Sequence, residues 1–159
     1  MYNQKFAVAA ATIFVALCGP VTAEEGHALV IVDANGAEHT LYLDALDQME
    51  QVDFLTTTIW TEGLIRFSGV PVLNLLEEFE ANGQTLQISA LNDYKVEMPT
   101  ADLVEDAPIV ATRMNGDLMP VRDKGPYWIV FPYDRSPEYR TEVKHAQSVW
   151  QLKSLVVID

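Results

Sequence analysis

The sequence predicts an α+β domain, a mixed β-sheet with few short helices. Three observations predict it. Short runs rich in β-branched and aromatic residues recur from residue 28 to residue 158, many bounded by Asn-Gly, Asn-Asp or Gly-Pro turn signals. Only one stretch has a clear helical stripe, with Val72, Leu75, Leu76 and Phe79 at i, i+3, i+4 and i+7. No repeat, low-complexity tract or linker divides the chain.

The elements follow in order. Residues 28–32 and 38–43 flank Asn35-Gly36 and read as a hairpin. A two-residue turn there would pair Val32 with His39. Asp44 reads as the cap of a short helix reaching about Glu50. Residues 52–60 read as a strand. Pro71 suits the first turn of the striped helix, Asn82-Gly83 ends it, and Glu77, Glu78 and Glu80 form its wet face. Strands are expected at 85–90 and 94–98, around Asn92-Asp93. Thr100 reads as the cap of a short helix over 101–105. A strand over 109–114 leads into a second hairpin signal, Asn115-Gly116. Another strand covers 127–131, with Tyr127 and Phe131 on its core face and Trp128 on the opposite face. Residues 133–148 read as a long polar loop, a class that often carries function. Residues 152–158 close the chain as a buried strand.

Residues 1–23 have the layout of a cleavable secretory signal. Lys5 gives a positive start, residues 6–18 are apolar, and Val21-Thr22-Ala23 supplies small residues for cleavage. The run falls short of the roughly 20 apolar residues that span a bilayer. Leu17 disfavours acylation of Cys18, because a small residue is expected before a lipidated cysteine. Cleavage after Ala23 would leave residues 24–159 as a single exported domain. Cys18 is the only cysteine of the chain, so the mature protein would have no thiol.

The formal net charge is −13. Residues 24–112 hold two bases, Arg66 and Lys95, against seventeen acids, while residues 113–159 hold seven bases against six acids. The acidic half argues against nucleic acid and anionic membrane surfaces. The three histidines, His27, His39 and His145, form no metal-ligand spacing, so no metal site is expected. Asp134, Ser136 and His145 could be grouped as a triad, but no nucleophile elbow surrounds Ser136. No phosphate-binding glycine loop is present. No catalytic residue is assigned.

What remains is an inventory suited to a flat heteroaromatic ligand. Trp60, Tyr94, Trp128, Tyr133, Tyr139 and Trp150 offer ring faces, and Arg66, Arg113, Arg135 and Arg140 offer paired donors. For any one of these aromatics, core packing is the commoner role.

Five segments in order resemble the sulfite-oxidase-like molybdopterin-binding domain. Phe67-Ser68-Gly69-Val70-Pro71-Val72-Leu73-Asn74-Leu75-Leu76 is similar to its "tGvpL.dLL" segment. Ala90-Leu91-Asn92-Asp93-Tyr94 with Met98-Pro99 resembles "A.DGY...iP", and Ile109-Val110-Ala111 with Asn115-Gly116-Asp117-Leu118 resembles "vlA...NG..L". The stretch from Gly125-Pro126 to Pro132 resembles "G.PlRlvvP", and Val149-Trp150-Gln151-Leu152 resembles "vKWl". The set covers about residues 64–158.

The departures carry the functional expectation. The resemblance implies a metal-binding cysteine upstream of Phe67, where this chain has Leu55-Thr56-Thr57-Thr58-Ile59-Trp60. The arginine of "PlR" is Trp128 here, and the "DGY" aspartate is Asn92. A threonine hydroxyl cannot stand in for a thiolate on a soft metal centre. The short exported form resembles periplasmic pterin-binding regulators related to this domain. That resemblance implies a non-catalytic sensor with a small pterin as its ligand. It would dock on the periplasmic domain of an inner-membrane enzyme that makes or degrades cyclic di-GMP. The expected pterin contacts are Trp60, Asn92, Tyr94, Arg113, Trp128, Tyr133, Arg135 and Trp150. Two alternatives stand beside it: a molybdopterin-dependent oxidoreductase or its accessory subunit, and a protein-interaction module with a closed pocket.

Overall fold

Asp33 sets the register of the first hairpin. In the computed structural model, which describes residues 26–159, strands β1 (Leu29–Val32) and β2 (Glu38–Leu41) run antiparallel. The Asp33 carboxylate accepts from the backbone N–H groups of Asn35 at 2.9 Å and Ala37 at 2.8 Å. Gly36 takes the left-handed conformation, φ +83°. The turn is therefore one residue longer than Asn35-Gly36 predicts. Val32 pairs with Glu38, and His39 pairs with Ile31 rather than with Val32. The expected export signal lies outside the described residues.

Helix α1 (Leu43–Gln48) starts two residues earlier than an Asp44 cap would place it. Tyr42 occupies the cap position with no side-chain bond, and the Asp44 carboxylate instead accepts from Ala45 N–H inside the first turn. Strand β3 (Val52–Thr56) stops four residues short of Trp60. Beyond it, the Thr57 N–H donates to Asp134 rather than to a ladder. Strand β4 (Ile65–Pro71) leads into helix α2 (Val72–Glu78), which buries Val72, Leu75 and Leu76.

The stop of α2 comes before Asn82-Gly83. Ala81 N–H donates to the Leu76 carbonyl at 2.8 Å, and Glu80 N–H to that of Glu77 at 3.1 Å, while Glu80 sits at φ +50°. This is the paired closure usually built on glycine, here with a glutamate in the left-handed position. Strands β5 (Thr85–Ala90) and β6 (Lys95–Pro99) form the next hairpin. A single 3-10 turn, Thr100–Asp102, replaces the expected helix over 101–105. The Thr100 hydroxyl does not cap it but donates to the Gly83 carbonyl at 2.6 Å.

Strand β7 (Ile109–Met114) turns at Asn115 and Gly116, φ +53° and +89°, into β8 (Asp117–Leu118), as the Asn-Gly signal predicts. Strand β9 (Trp128–Val130) follows. Residues 133–148 are not a structureless loop. They hold a 3-10 turn, Pro137–Tyr139, capped by Ser136, and helix α3 (Glu142–Gln147), capped by the Thr141 hydroxyl, which accepts from Lys144 N–H at 3.2 Å. Strand β10 (Leu152–Ile158) ends the fold.

Two sheets result. The first has the order β2-β1-β10-β5-β6; β1 and β10 are parallel and the other pairs antiparallel, so the sheet is mixed. The second is antiparallel, β3-β4-β7, with β8 and β9 both pairing with β7. Leu152 and Leu155 are both fully buried although three residues apart. A register shift against β5 between Leu152 and Ser154 makes that possible. Gly69 answers a tighter constraint: a Cβ there would lie 1.9 Å from the Val110 carbonyl oxygen, at the register shift between β4 and β7. Phe67, Leu75, Ile88, Val110, Ile129 and Leu155 are among the fully buried members of one hydrophobic core.

Candidate functional site

A cleft of about 290 Å³ opens where three segments meet. The β3–β4 connection contributes Trp60. The β5–β6 hairpin contributes Ala90, Asn92 and Tyr94. The end of α3 and the chain after it contribute His145, Ala146, Ser148, Val149 and Trp150. One wall thus belongs to each sheet, and the segment before β10 joins them.

Each segment is fixed by local bonds. Around Trp60, the Thr58 hydroxyl accepts from Trp60 N–H at 3.0 Å and shares a 2.8 Å bond with the Thr61 hydroxyl. Thr57 is tied to Asp134 through its N–H at 2.6 Å and its hydroxyl at 2.9 Å, and the Thr56 hydroxyl accepts from Asp134 N–H at 3.1 Å. These bonds hold the Asp134 carboxyl below the usual aspartate range; the Thr57 N–H is the largest cause. In the β5–β6 hairpin, Asn92 Oδ1 accepts from Tyr94 N–H at 3.1 Å, and the Tyr94 hydroxyl donates to the Ala146 carbonyl at 3.1 Å. Gln151 adopts φ +49°, and the chain passes from Trp150 at the cleft to the buried Leu152.

Trp60 is the hub of an aromatic cluster. Its ring meets Trp128 at 5.8 Å, Trp150 at 5.6 Å, His145 at 5.5 Å and Tyr133 at 6.2 Å between centroids, each edge to face. Such pairs fix ring orientation as well as burying surface. Below it, the Trp128 indole N–H donates to the Ser148 carbonyl at 3.1 Å. The Ser148 hydroxyl donates to the Lys144 carbonyl at 2.7 Å, so Tyr133, 2.5 Å away, must donate to Ser148. Burial pushes the Tyr133 phenol up to about 12, so it stays a donor at neutral pH.

The cleft brings together four of the eight residues expected from the sequence: Trp60, Asn92, Tyr94 and Trp150. Tyr94 and Trp150 are 46% and 37% exposed, available to a ligand. Trp128 and Tyr133 lie under Trp60 rather than on the cleft surface; Trp128 is 0% exposed. Trp128 does leave the Tyr127–Phe131 side of its strand, but it enters a second buried layer against Phe67, 5.3 Å away. It is a support, not an open stacking face.

Arg113 and Arg135 lie elsewhere. Arg113 grips Asp47 through both terminal nitrogens, the second bond at 2.7 Å. Arg135 pairs with Asp106 at 2.7 Å. Their partners come from the acidic first half of the chain, which explains why basic residues clustered late in the sequence need not line a site. His145 and Ser148 are lining residues that sequence reasoning placed in a polar loop. The readable signal was Thr141 with Glu142 after it, a helix start that turns His145 toward Trp60. No group of three or more histidine, cysteine, aspartate or glutamate side chains that could hold a metal occurs among the described residues.

No protein-family model matches the chain, and no curated protein matches it. Among solved structures, the sulfane dehydrogenase SoxCD from Paracoccus pantotrophus is similar, with a TM-score of 0.66 and 17% sequence identity. The match covers 86% of this chain and 39% of that one. This chain therefore corresponds to well under half of the SoxCD chain, and the likeness is one of fold. The fold is the mixed α+β type expected from the sequence, and it is shared with that part of the SoxCD chain.

Proposed function

We propose that the chain is a non-catalytic, periplasmic pterin-binding protein. Its sensor role would be to dock, according to ligand state, on a membrane-bound cyclic di-GMP enzyme. One observation carries the ligand reading: an apolar cleft edged by Trp60, Tyr94 and Trp150, with Asn92 and His145 as its polar side groups. A planar ring with polar edges suits such walls. Stacking supplies affinity, about 1–3 kcal/mol per ring in comparable systems, and side-chain amides read ring carbonyls and amino groups. The segments that line the cleft contain no cysteine, and the chain's one cysteine is Cys18. The partner and output follow from the resemblance alone. Tryptophan-fluorescence titration with a reduced pterin tests the ligand. A quench that saturates in the wild type and needs markedly more pterin in Trp60→Ala supports it; no response to any reduced pterin refutes it.

The second reading, an oxidoreductase or its accessory subunit, draws on the fold likeness to a dehydrogenase. Molybdenum analysis of protein purified from its native host separates the two. Stoichiometric metal would overturn the sensor proposal.

A further inference from the structure

We infer that the cleft admits the uncharged ring portion of a pterin and rejects phosphate-bearing forms, the tailed molybdopterin cofactor included. This rests on the pterin reading above and adds the charge rule for that site. The lining holds neither lysine nor arginine. Four of the bases are engaged by carboxylates, and Lys95, which follows Tyr94, is exposed and outside the lining. Lys144, next to His145, donates to Asp102 at 2.8 Å and lies 5.2 Å from the Phe131 ring. Lys124, under Trp128, pairs with Asp123 at 3.0 Å. Arg113 and Arg135 are held by Asp47 and Asp106. At the mouth, Asp93 follows Asn92 with its side chain 83% exposed, and its partner Lys153 stands 3.6 Å away.

A phosphate monoester carries about −1.5 to −2 charges at neutral pH. Entering an apolar cleft with no cation, it would lose hydration without a counter-charge. The polar groups of the wall are few. The Ser148 carbonyl is taken by Trp128 and its hydroxyl by Tyr133 and Lys144. Asn92 Oδ1 is taken by Tyr94 N–H, which leaves the Asn92 amino group as a donor. Such a wall reads neutral ring edges. The cleft's volume, about 290 Å³, falls just under the roughly 300–1,000 Å³ typical of small-molecule pockets and suits a ring system.

The test is calorimetric titration of the full mature chain with hydroxymethyl-dihydropterin and with its monophosphate ester. The expected result is at least tenfold weaker binding of the ester. Equal or tighter binding of the ester overturns the inference while leaving the pterin reading in place. If neither compound binds, the pterin reading fails and the inference falls with it. A second variant checks the cause. Ala146 is an exposed residue on the rim, so Ala146→Lys adds a cation without disturbing the core. That variant should narrow the gap between the two compounds. An unchanged gap would mean that charge is not what excludes the ester, and would overturn the inference.

Discussion

Asp134 accepts two hydrogen bonds from Thr57, one from the backbone N–H at 2.6 Å and one from the hydroxyl at 2.9 Å, across 77 positions of sequence. This clasp fastens the segment before Trp60 to the turn after β9. Asp134→Ala should loosen the Trp60 wall. We expect a stability loss of about 1 kcal/mol, the net worth of an ordinary hydrogen bond, and a larger proportional loss of ligand affinity. Thermal melting with titration of the same variant checks both. Unchanged affinity would mean that the clasp does not position Trp60.

The same carboxylate gives a pH dependence with a definite sign. Thr57 holds the Asp134 carboxyl below its ordinary value, and Arg113 does the same to Asp47. A group whose folded-state pKa is depressed contributes stability above its unfolded value, about 3.9. That contribution is lost as pH falls through the lower folded value. Stability should therefore be flat with respect to these two groups at neutral pH and fall below about pH 4. Asp134→Asn should flatten part of that acid limb. Chemical denaturation across pH 3 to 7, a range of roughly one carboxylate titration, reads it directly.

Arg113 tests the separation of structure from binding. Its guanidinium meets both Asp47 oxygens, with side chains about one-third exposed. A partly exposed pair of this kind is worth about 0.5–1 kcal/mol, and lysine cannot reproduce the two-pronged geometry. Arg113→Lys should lower stability by no more than that and leave pterin affinity unchanged. The same holds for Arg135→Lys, since Asp106 occupies its guanidinium. A marked affinity loss in either variant would return that arginine to the ligand site.

The strands were legible because their signals are local. The apolar run at 152–158 and the run at 109–114 match β10 and β7 residue for residue. The boundaries that moved were decided by distant partners. Nothing near Thr57 in sequence announces that Asp134 will take its N–H and end β3. The Asp33 carboxylate lengthened the first turn by one residue, a bond that Asn35-Gly36 does not encode. The cleft was half legible. Trp60, Asn92, Tyr94 and Trp150 could be picked out as residue types in turns. Whether an arginine faces a ligand or a carboxylate depends on packing, and α3 is too short and polar to show an apolar stripe.

Glu80 supplies a stability prediction independent of any ligand. It sits at φ +50° in the closure of α2, where side chains with a Cβ pay about 1 kcal/mol relative to glycine. Glycine in turn loses more entropy on folding, so the net gain is smaller. Glu80→Gly should raise stability by about 0.5 kcal/mol, and Glu80→Asn by less. Lower stability in the glycine variant would show that the Glu80 side chain makes a compensating contact.

Trp60 and Trp128 should respond oppositely to substitution, although both belong to one cluster. Trp128 is fully buried against Phe67 and donates to the Ser148 carbonyl. Trp128→Ala removes a large core side chain and leaves that carbonyl without its partner. It should cost about 3–5 kcal/mol of stability, which makes it a poor probe of binding. Trp128→Phe keeps most of the volume and isolates the lost N–H bond, at about 1 kcal/mol. Trp60 is half-buried at the wall of the cleft and has no comparable core role. Trp60→Ala should reduce pterin affinity by about 1–3 kcal/mol with a clearly smaller effect on melting than Trp128→Ala. Calorimetry and thermal denaturation on the two alanine variants decide it. If Trp60→Ala binds like the parent while the protein stays folded, the tryptophan cleft is not where the ligand stacks.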